Sequence, residues 1–154
     1  MRTVGSLVLA AGGSAAAAAV GGVGARRAPE VYARLDKPAW APPAGVFGPV
    51  WTGLYTLMGV SAFRLARRSA RAALALHVAQ LACNAAWPLV FFSARRKRAS
   101  LGVIAALDVL VAAEVAVAAR RDTPASWLLT PYLAWSLFAT ALNASVRARS
   151  GPAG

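Results

Sequence analysis

Acidic side chains are scarce in this sequence: five Asp and Glu stand against 17 Lys and Arg, for a net charge of +12. Cysteine is scarcer, with Cys83 alone. That excludes an intrachain disulfide, and a single thiol inside an apolar run reads as packing. The one histidine, His77, is a lone residue near a helix end, which fits a hydrogen-bonding or interfacial group better than a metal ligand. No Gly-rich phosphate loop, serine or cysteine triad or cluster of metal ligands is present, so familiar hydrolytic and metal-dependent chemistry is not written here. Charge of either sign is missing from long stretches. Only 14% of residues are charged while 58% are hydrophobic, and the charges gather in short arginine clusters between uncharged runs. A water-soluble domain spreads charge along every helix; segregation of this kind belongs to a chain whose surface faces lipid.

A charge of +12 suggests nucleic acid, but a phosphate-binding stripe needs a folded soluble face to carry it. Here the basic residues fill the gaps between apolar runs, where they mark helix ends near anionic headgroups and set topology. The expected partner is the bilayer, and no nucleic acid.

Five runs are long enough for a hydrocarbon core that takes about 20 residues to cross. They are Val4 to Ala25, Phe47 to Phe63, Ala72 to Ala94, Ala99 to Ala119 and Pro124 to Val146. They predict an all-α membrane protein, a single five-transmembrane-helix domain with helices over 4–25, 47–66, 72–94, 99–119 and 124–146 and a short tail over 147–154. Pro42 and Pro43 break the uncharged stretch before Phe47. The first run, after Met1-Arg2, has the look of a cleaved signal peptide, but its small residues Gly12, Ala16, Gly21 and Ala25 suit close helix packing in lipid, so a retained helix is expected. Pro49 and Pro124 mark helix starts, with Thr123 as the N-cap of the last helix. Pro88 and Pro131 fall inside helices and predict bends.

With five crossings, the first and third connections and the C-terminal tail share a side. That side carries ten basic residues, Arg26, Arg27, Arg34, Lys37, Arg95 to Arg98, Arg147 and Arg149, against seven on the other, Arg2, Arg64, Arg67, Arg68, Arg71, Arg120 and Arg121. The positive-inside rule then puts the first loop and the C-terminus in the cytoplasm. The abundance of alanine, arginine and glycine points to a bacterial cytoplasmic membrane.

At 100° per residue, His77, Gln80, Asn84 and Trp87 share one helix face; Tyr132, Trp135, Ala139 and Asn143 share another, and Phe47, Trp51, Tyr55 and Met58 a third. Such stripes are commonly packing seams. Their mixture of indole, phenol and amide groups also suits a flat, mostly apolar ligand with a few polar edges; periodicity leaves both readings open. Asp108 is expected to point into the bundle, and Glu114, near Arg120, to lean toward the interface, both in structural roles.

The segment Leu35-Asp36-Lys37-Pro38-Ala39-Trp40-Ala41-Pro42-Pro43 with Val46-Phe47-Gly48-Pro49-Val50-Trp51-Thr52-Gly53-Leu54-Tyr55 resembles the signature of the translocator protein family, also called tryptophan-rich sensory proteins (TspO/MBR). Gln80 to Phe92 and the blocks Pro131 to Trp135 and Phe138 to Asn143 resemble that family's third and fifth helices. The resemblance implies a five-helix bundle, usually a homodimer, whose long first loop is a lid over a pocket for porphyrins such as protoporphyrin IX and haem. Some members also bind sterols or synthetic ligands. It assigns Tyr32, Pro42 and Pro43 to the lid and Trp51, Asn84, Trp87, Trp135 and Ala139 to the pocket, with Trp40, Phe47, Tyr55 and Phe91 among the ligand-binding residues. Arg34 and Lys37 would attract propionates. No cofactor or metal is required, porphyrin being a ligand. The function implied is that of a sensor or regulator of porphyrin and stress metabolism. The alternatives are light-dependent porphyrin degradation, with Trp51 and Trp135 as catalytic candidates, and transport of amphipaths. Two features depart from the family pattern: Val31 stands where tryptophan is common, predicting a looser lid, and the tail lacks the tyrosine of the proposed cholesterol motif.

Overall fold

The computed structural model describes residues 2–94 and 96–148; Arg95 and the tail from 149 onward lie outside the described residues. Helix α1 (Arg2–Gly24) leads through a 3-10 turn (Ala25–Arg27) into the short α2 (Ala28–Ala33), then β1 (Leu35–Asp36) and a second 3-10 turn (Ala44–Val46). Four long elements follow: α3 (Phe47–Arg67), α4 (Arg71–Pro88) with a π-helical extension (Leu89–Ser93), α5 (Lys97–Ala119) and α6 (Thr123–Ser145), before β2 (Arg147–Ala148).

Local chemistry accounts for the punctuation. Pro49 sits in the first turn of α3, where its missing N–H has no helical partner to lose. The N-cap of α6 is Asp122 rather than the expected Thr123: its carboxylate accepts the Ala125 N–H at 2.9 Å, and a carboxylate also suits the positive end of the helix dipole. Pro88 produces a change of helix type. The residues after it widen to i→i+5 bonding, with the Ala94 N–H donating to the Leu89 carbonyl at 2.9 Å. By contrast, α6 stays α-helical through Pro131.

The turn from α3 to α4 closes as a Schellman motif. Ser69 takes φ 51, its N–H donates to Ala66 and the N–H of Ala70 to Leu65, so the last carbonyls of α3 are satisfied.

Around the bundle, α1 packs on α3 and α4, α4 on α5, α5 on α6, and α6 returns to α3. Met58, Leu65, Ile104, Val111, Leu129 and Tyr132 form the core. A second cluster of Tyr32, Phe91, Leu142 and Val146 ties the α1–α3 connection to the C-terminal end. There β1 and β2 pair antiparallel, Leu35 opposite Ala148 and Asp36 opposite Arg147, and the Lys97 ammonium donates to the carbonyls of Ala144 and Val146. At the opposite end Arg64 and Arg68 of the α3 terminus bridge to Asp122, at 2.9 and 3.3 Å.

Polarity is inverted relative to a soluble bundle. Val8, Val78, Val109, Trp127 and Leu137 are each more than half exposed, while His77, Gln80, Asn84, Glu114 and Asn143 are buried. Glu114 does not lean toward an interface; it is fully buried, with Oε1 2.7 Å from His77 Nδ1, because a carboxylate at that depth needs a partner more than it needs solvent. Asp108 does face its neighbouring helix, accepting from the hydroxyls of Ser136 and Thr140. Among the described residues, three helical stretches are long and apolar enough to cross a membrane: Ala44–Arg67, Arg71–Ser93 and Lys97–Ala119.

Candidate functional site

A cavity of about 320 Å³ opens between α1, α3, α4 and α6, at the end where the α1–α3 connection meets the C-terminus. Helix α1 contributes Ala18 and Gly21; a Cβ built on Gly21 would lie 3.7 Å from the Tyr55 hydroxyl, so a large side chain there would enter the space. The connection contributes Pro29, Tyr32 and Leu35, α3 Phe47, Trp51 and Tyr55, and α4 with its π extension Asn84, Trp87, Phe91 and Phe92. The α6 wall is Trp135, Ala139, Leu142 and Asn143, spaced as one helix face.

The aromatic walls support one another. Tyr32 meets Phe47 edge-on at 5.3 Å, and Phe47 meets Trp135 at 5.9 Å. Trp87 stacks on Phe91 at 5.2 Å, and Trp51 leans on Tyr55 at 5.6 Å. Contacts of this kind fix large rings at little entropic cost and leave their outer faces for a flat partner.

Polar groups behind the rings form a directed chain. The Tyr55 hydroxyl donates to Asn84 Oδ1 at 2.5 Å, Asn84 Nδ2 donates to the Tyr132 hydroxyl at 2.8 Å, and that hydroxyl donates to Gln80 Oε1 at 2.9 Å. Asn84 therefore has a settled orientation. Lower on the wall, the Trp87 indole N–H donates to Asn143 Oδ1 at 3.1 Å. Two donors of the site, Trp135 Nε1 and Asn143 Nδ2, are buried without an acceptor. Over the cavity, the Tyr32 hydroxyl donates to the Pro42 carbonyl at 2.7 Å, and burial pushes that phenol above its usual value.

Of the residues singled out in the sequence, Tyr32, Phe47, Trp51, Tyr55, Asn84, Trp87, Phe91, Trp135 and Ala139 all line this cavity. Trp40, Pro42 and Pro43 do not. Trp40 is 51% exposed and packs edge-on against Phe138, outside the wall; Pro42 acts through its carbonyl on Tyr32, and Pro43 precedes the second 3-10 turn. Lys37 is turned inward, bonding the carbonyls of Tyr32 and Leu35 and lying 4.7 Å over the Tyr32 ring, whereas Arg34 pairs with Glu30 in solvent. The polar wall residue missed as a site residue is Asn143; apolar wall residues missed with it include Leu35, Phe92, Leu142 and Val146. The spacing of Asn143 from Ala139 carried the signal, for it stands one helical turn on, along the same face. No group of three or more His, Cys, Asp or Glu that could hold a metal occurs among the described residues.

Compared with known proteins, residues 6–149 match the TspO/MBR family. The tryptophan-rich sensory protein of Cereibacter sphaeroides is 43% identical over 115 residues, covering 74% of this chain and 73% of that one. The translocator protein of Homo sapiens is 42% identical over 123 residues, covering 73% and 70%. Protein CrtK of Rhodobacter capsulatus is 34% identical over 147 residues, covering 92% of each.

Proposed function

The chain belongs to the TspO/MBR family of helical membrane proteins, and from that premise we propose that it is a five-span porphyrin-binding protein acting as a sensor or regulator of porphyrin and stress metabolism. The observation that carries this reading is the cavity itself. Three indoles, Trp51, Trp87 and Trp135, stand around one apolar space with the Asn84 amide among them. Flat aromatic macrocycles such as protoporphyrin IX and haem bind to faces of that kind, with a single amide reading a polar edge. In this reading the α1–α3 connection is the lid, Tyr32 and Leu35 being its inward side chains. The protein works as a homodimer in a bacterial cytoplasmic membrane, with that lid on the cytoplasmic side.

A second reading, light-dependent porphyrin breakdown, is favoured by one feature: Trp51 and Trp135 come from different helices and both border the cavity, so a bound porphyrin excited by light would have an oxidisable indole on two sides. Titration of the purified protein with protoporphyrin IX, first in the dark by tryptophan quenching and then by absorbance under illumination, separates the two. Saturable binding without turnover is the expected result. Loss of more than one porphyrin per protein, abolished by Trp51→Phe or Trp135→Phe, would establish the enzyme instead, and absence of quenching would remove both.

A further inference from the structure

Asn143 stands in the last turns of α6, borders the cavity and is 2% exposed. Its amide cannot turn over. The Trp87 indole nitrogen has only a proton to give and lies 3.1 Å from Oδ1, so the carbonyl end must face it. Ser100 Oγ lies 3.1 Å from the same oxygen. The NH2 end is thus the one left over, and it is buried with no acceptor. A buried donor without a partner is costly, and it calls for an acceptor that the protein alone does not supply.

The charges nearby indicate what kind of acceptor. The Lys97 ammonium is held by the carbonyls of Ala144 and Val146, immediately beyond Asn143 in the chain, and Val146 borders the cavity. The Lys37 ammonium is held by the carbonyls of Tyr32 and Leu35, which border it as well. Among the described residues neither lysine has a carboxylate partner. One end of an otherwise apolar, aromatic space therefore collects two uncompensated cations and a fixed, unpaired N–H donor.

We infer that Asn143 is a specificity-determining residue that reads a carboxylate on the ligand: the amide NH2 donates to the carboxylate oxygen while Lys97 and Lys37 supply the field that favours the charged form. The acid edge of the ligand then lies toward the C-terminal end of α6 and its ring lies among the indoles. The inference rests on the porphyrin-binding reading, to which it adds the direction in which the ligand is held.

Two porphyrins with the same ring distinguish the parts: protoporphyrin IX carries carboxylates and etioporphyrin carries none. Each is titrated into detergent-purified wild type, Asn143→Leu and Asn143→Asp, and the ratio of the two affinities is compared among proteins so that partition into detergent cancels. Asn143→Leu should lower protoporphyrin affinity about tenfold and leave etioporphyrin within about threefold, the loss of one hydrogen bond to a charged group. Asn143→Asp has the same shape and still accepts from Trp87, so it controls for folding; its added negative charge should lower protoporphyrin affinity at least as far. An unchanged ratio in both variants would overturn the inference while leaving porphyrin binding in place. Failure of wild type to bind either porphyrin would overturn the pocket reading, and the inference with it.

Discussion

Asp122 holds two helix ends with one carboxylate. It accepts the Ala125 N–H at the start of α6 and receives Arg64 and Arg68 from the end of α3. The Arg64 hydrogen bond, helped by the Ala125 N–H and by Arg68, holds its pKa below the usual 3.8 even though burial opposes this. A carboxyl whose folded-state pKa is depressed contributes stability that is fully present above the unfolded value and fades as pH falls through the folded one. Thermal unfolding in detergent should therefore show Asp122→Asn less stable than wild type at pH 7, by about 1 kcal/mol since the arginines are largely solvated. The gap should narrow steadily below pH 4; a gap that stayed constant down to pH 2.5 would mean that the charge is irrelevant. Asp122→Ala also loses the cap and should cost about 1 kcal/mol more. The same residue shows where sequence reasoning stopped. Thr123 and Asp122 are both good caps, and only the arrival of Arg64 and Arg68 from another helix makes the aspartate the better one. Glu114 is a similar case: its proximity to Arg120 in sequence suggested the interface, but His77, 37 residues away, pairs with it in the core. Trp40, Pro42 and Pro43 lie in irregular backbone, where no periodicity says which way a side chain points.

Elements that bury a stripe were legible; elements made by non-local pairing were not. The five long runs predicted helices that agree with α1, α3, α4 with its π extension, α5 and α6 to within two residues at each end, because continuous apolar sequence between arginine clusters sets those limits directly. The six-residue α2 is too short to show a period, and β1 and β2 join residues more than a hundred positions apart. That ladder has a consequence for exchange of ligand. It fastens Leu35, which borders the cavity, to the chain just beyond Val146, which Lys97 holds to α5. If the α1–α3 connection must move for a ligand to leave, truncation after Val146 should speed protoporphyrin dissociation about five- to tenfold, the worth of roughly one net hydrogen bond for the whole ladder. Lys97→Met should shift the rate in the same direction by less. Stopped-flow displacement gives the rate directly, and a truncated protein with wild-type dissociation would show that the strands only meet without restraining anything.

Taken whole, the molecule sorts its charges by end. The α1–α3 connection, the start of α5 and the C-terminal strand meet at one end; the α3–α4 and α5–α6 turns meet at the other. Alternation of this kind is what five successive crossings require. Among the described residues, Arg26, Arg27, Arg34, Lys37, Arg96, Lys97 and Arg98 belong to the first end and Arg64, Arg67, Arg68, Arg71, Arg120 and Arg121 to the second, so the positive-inside rule weighs two ends of the bundle rather than loops taken one by one. The chain offers a clean test, since Cys83 is its only cysteine. In a Cys83→Ala background, Ala39→Cys places a thiol in the exposed α1–α3 connection and Ser69→Cys places one in the exposed α3–α4 turn. In intact bacterial cells a membrane-impermeant maleimide should label position 69 and spare position 39 until the membrane is opened. Reversed labelling would invert the orientation while α3 still spans, for the basic excess is small enough to be outweighed. Labelling of both from one side would mean that the number of crossings between them is even, and α3 would then not span.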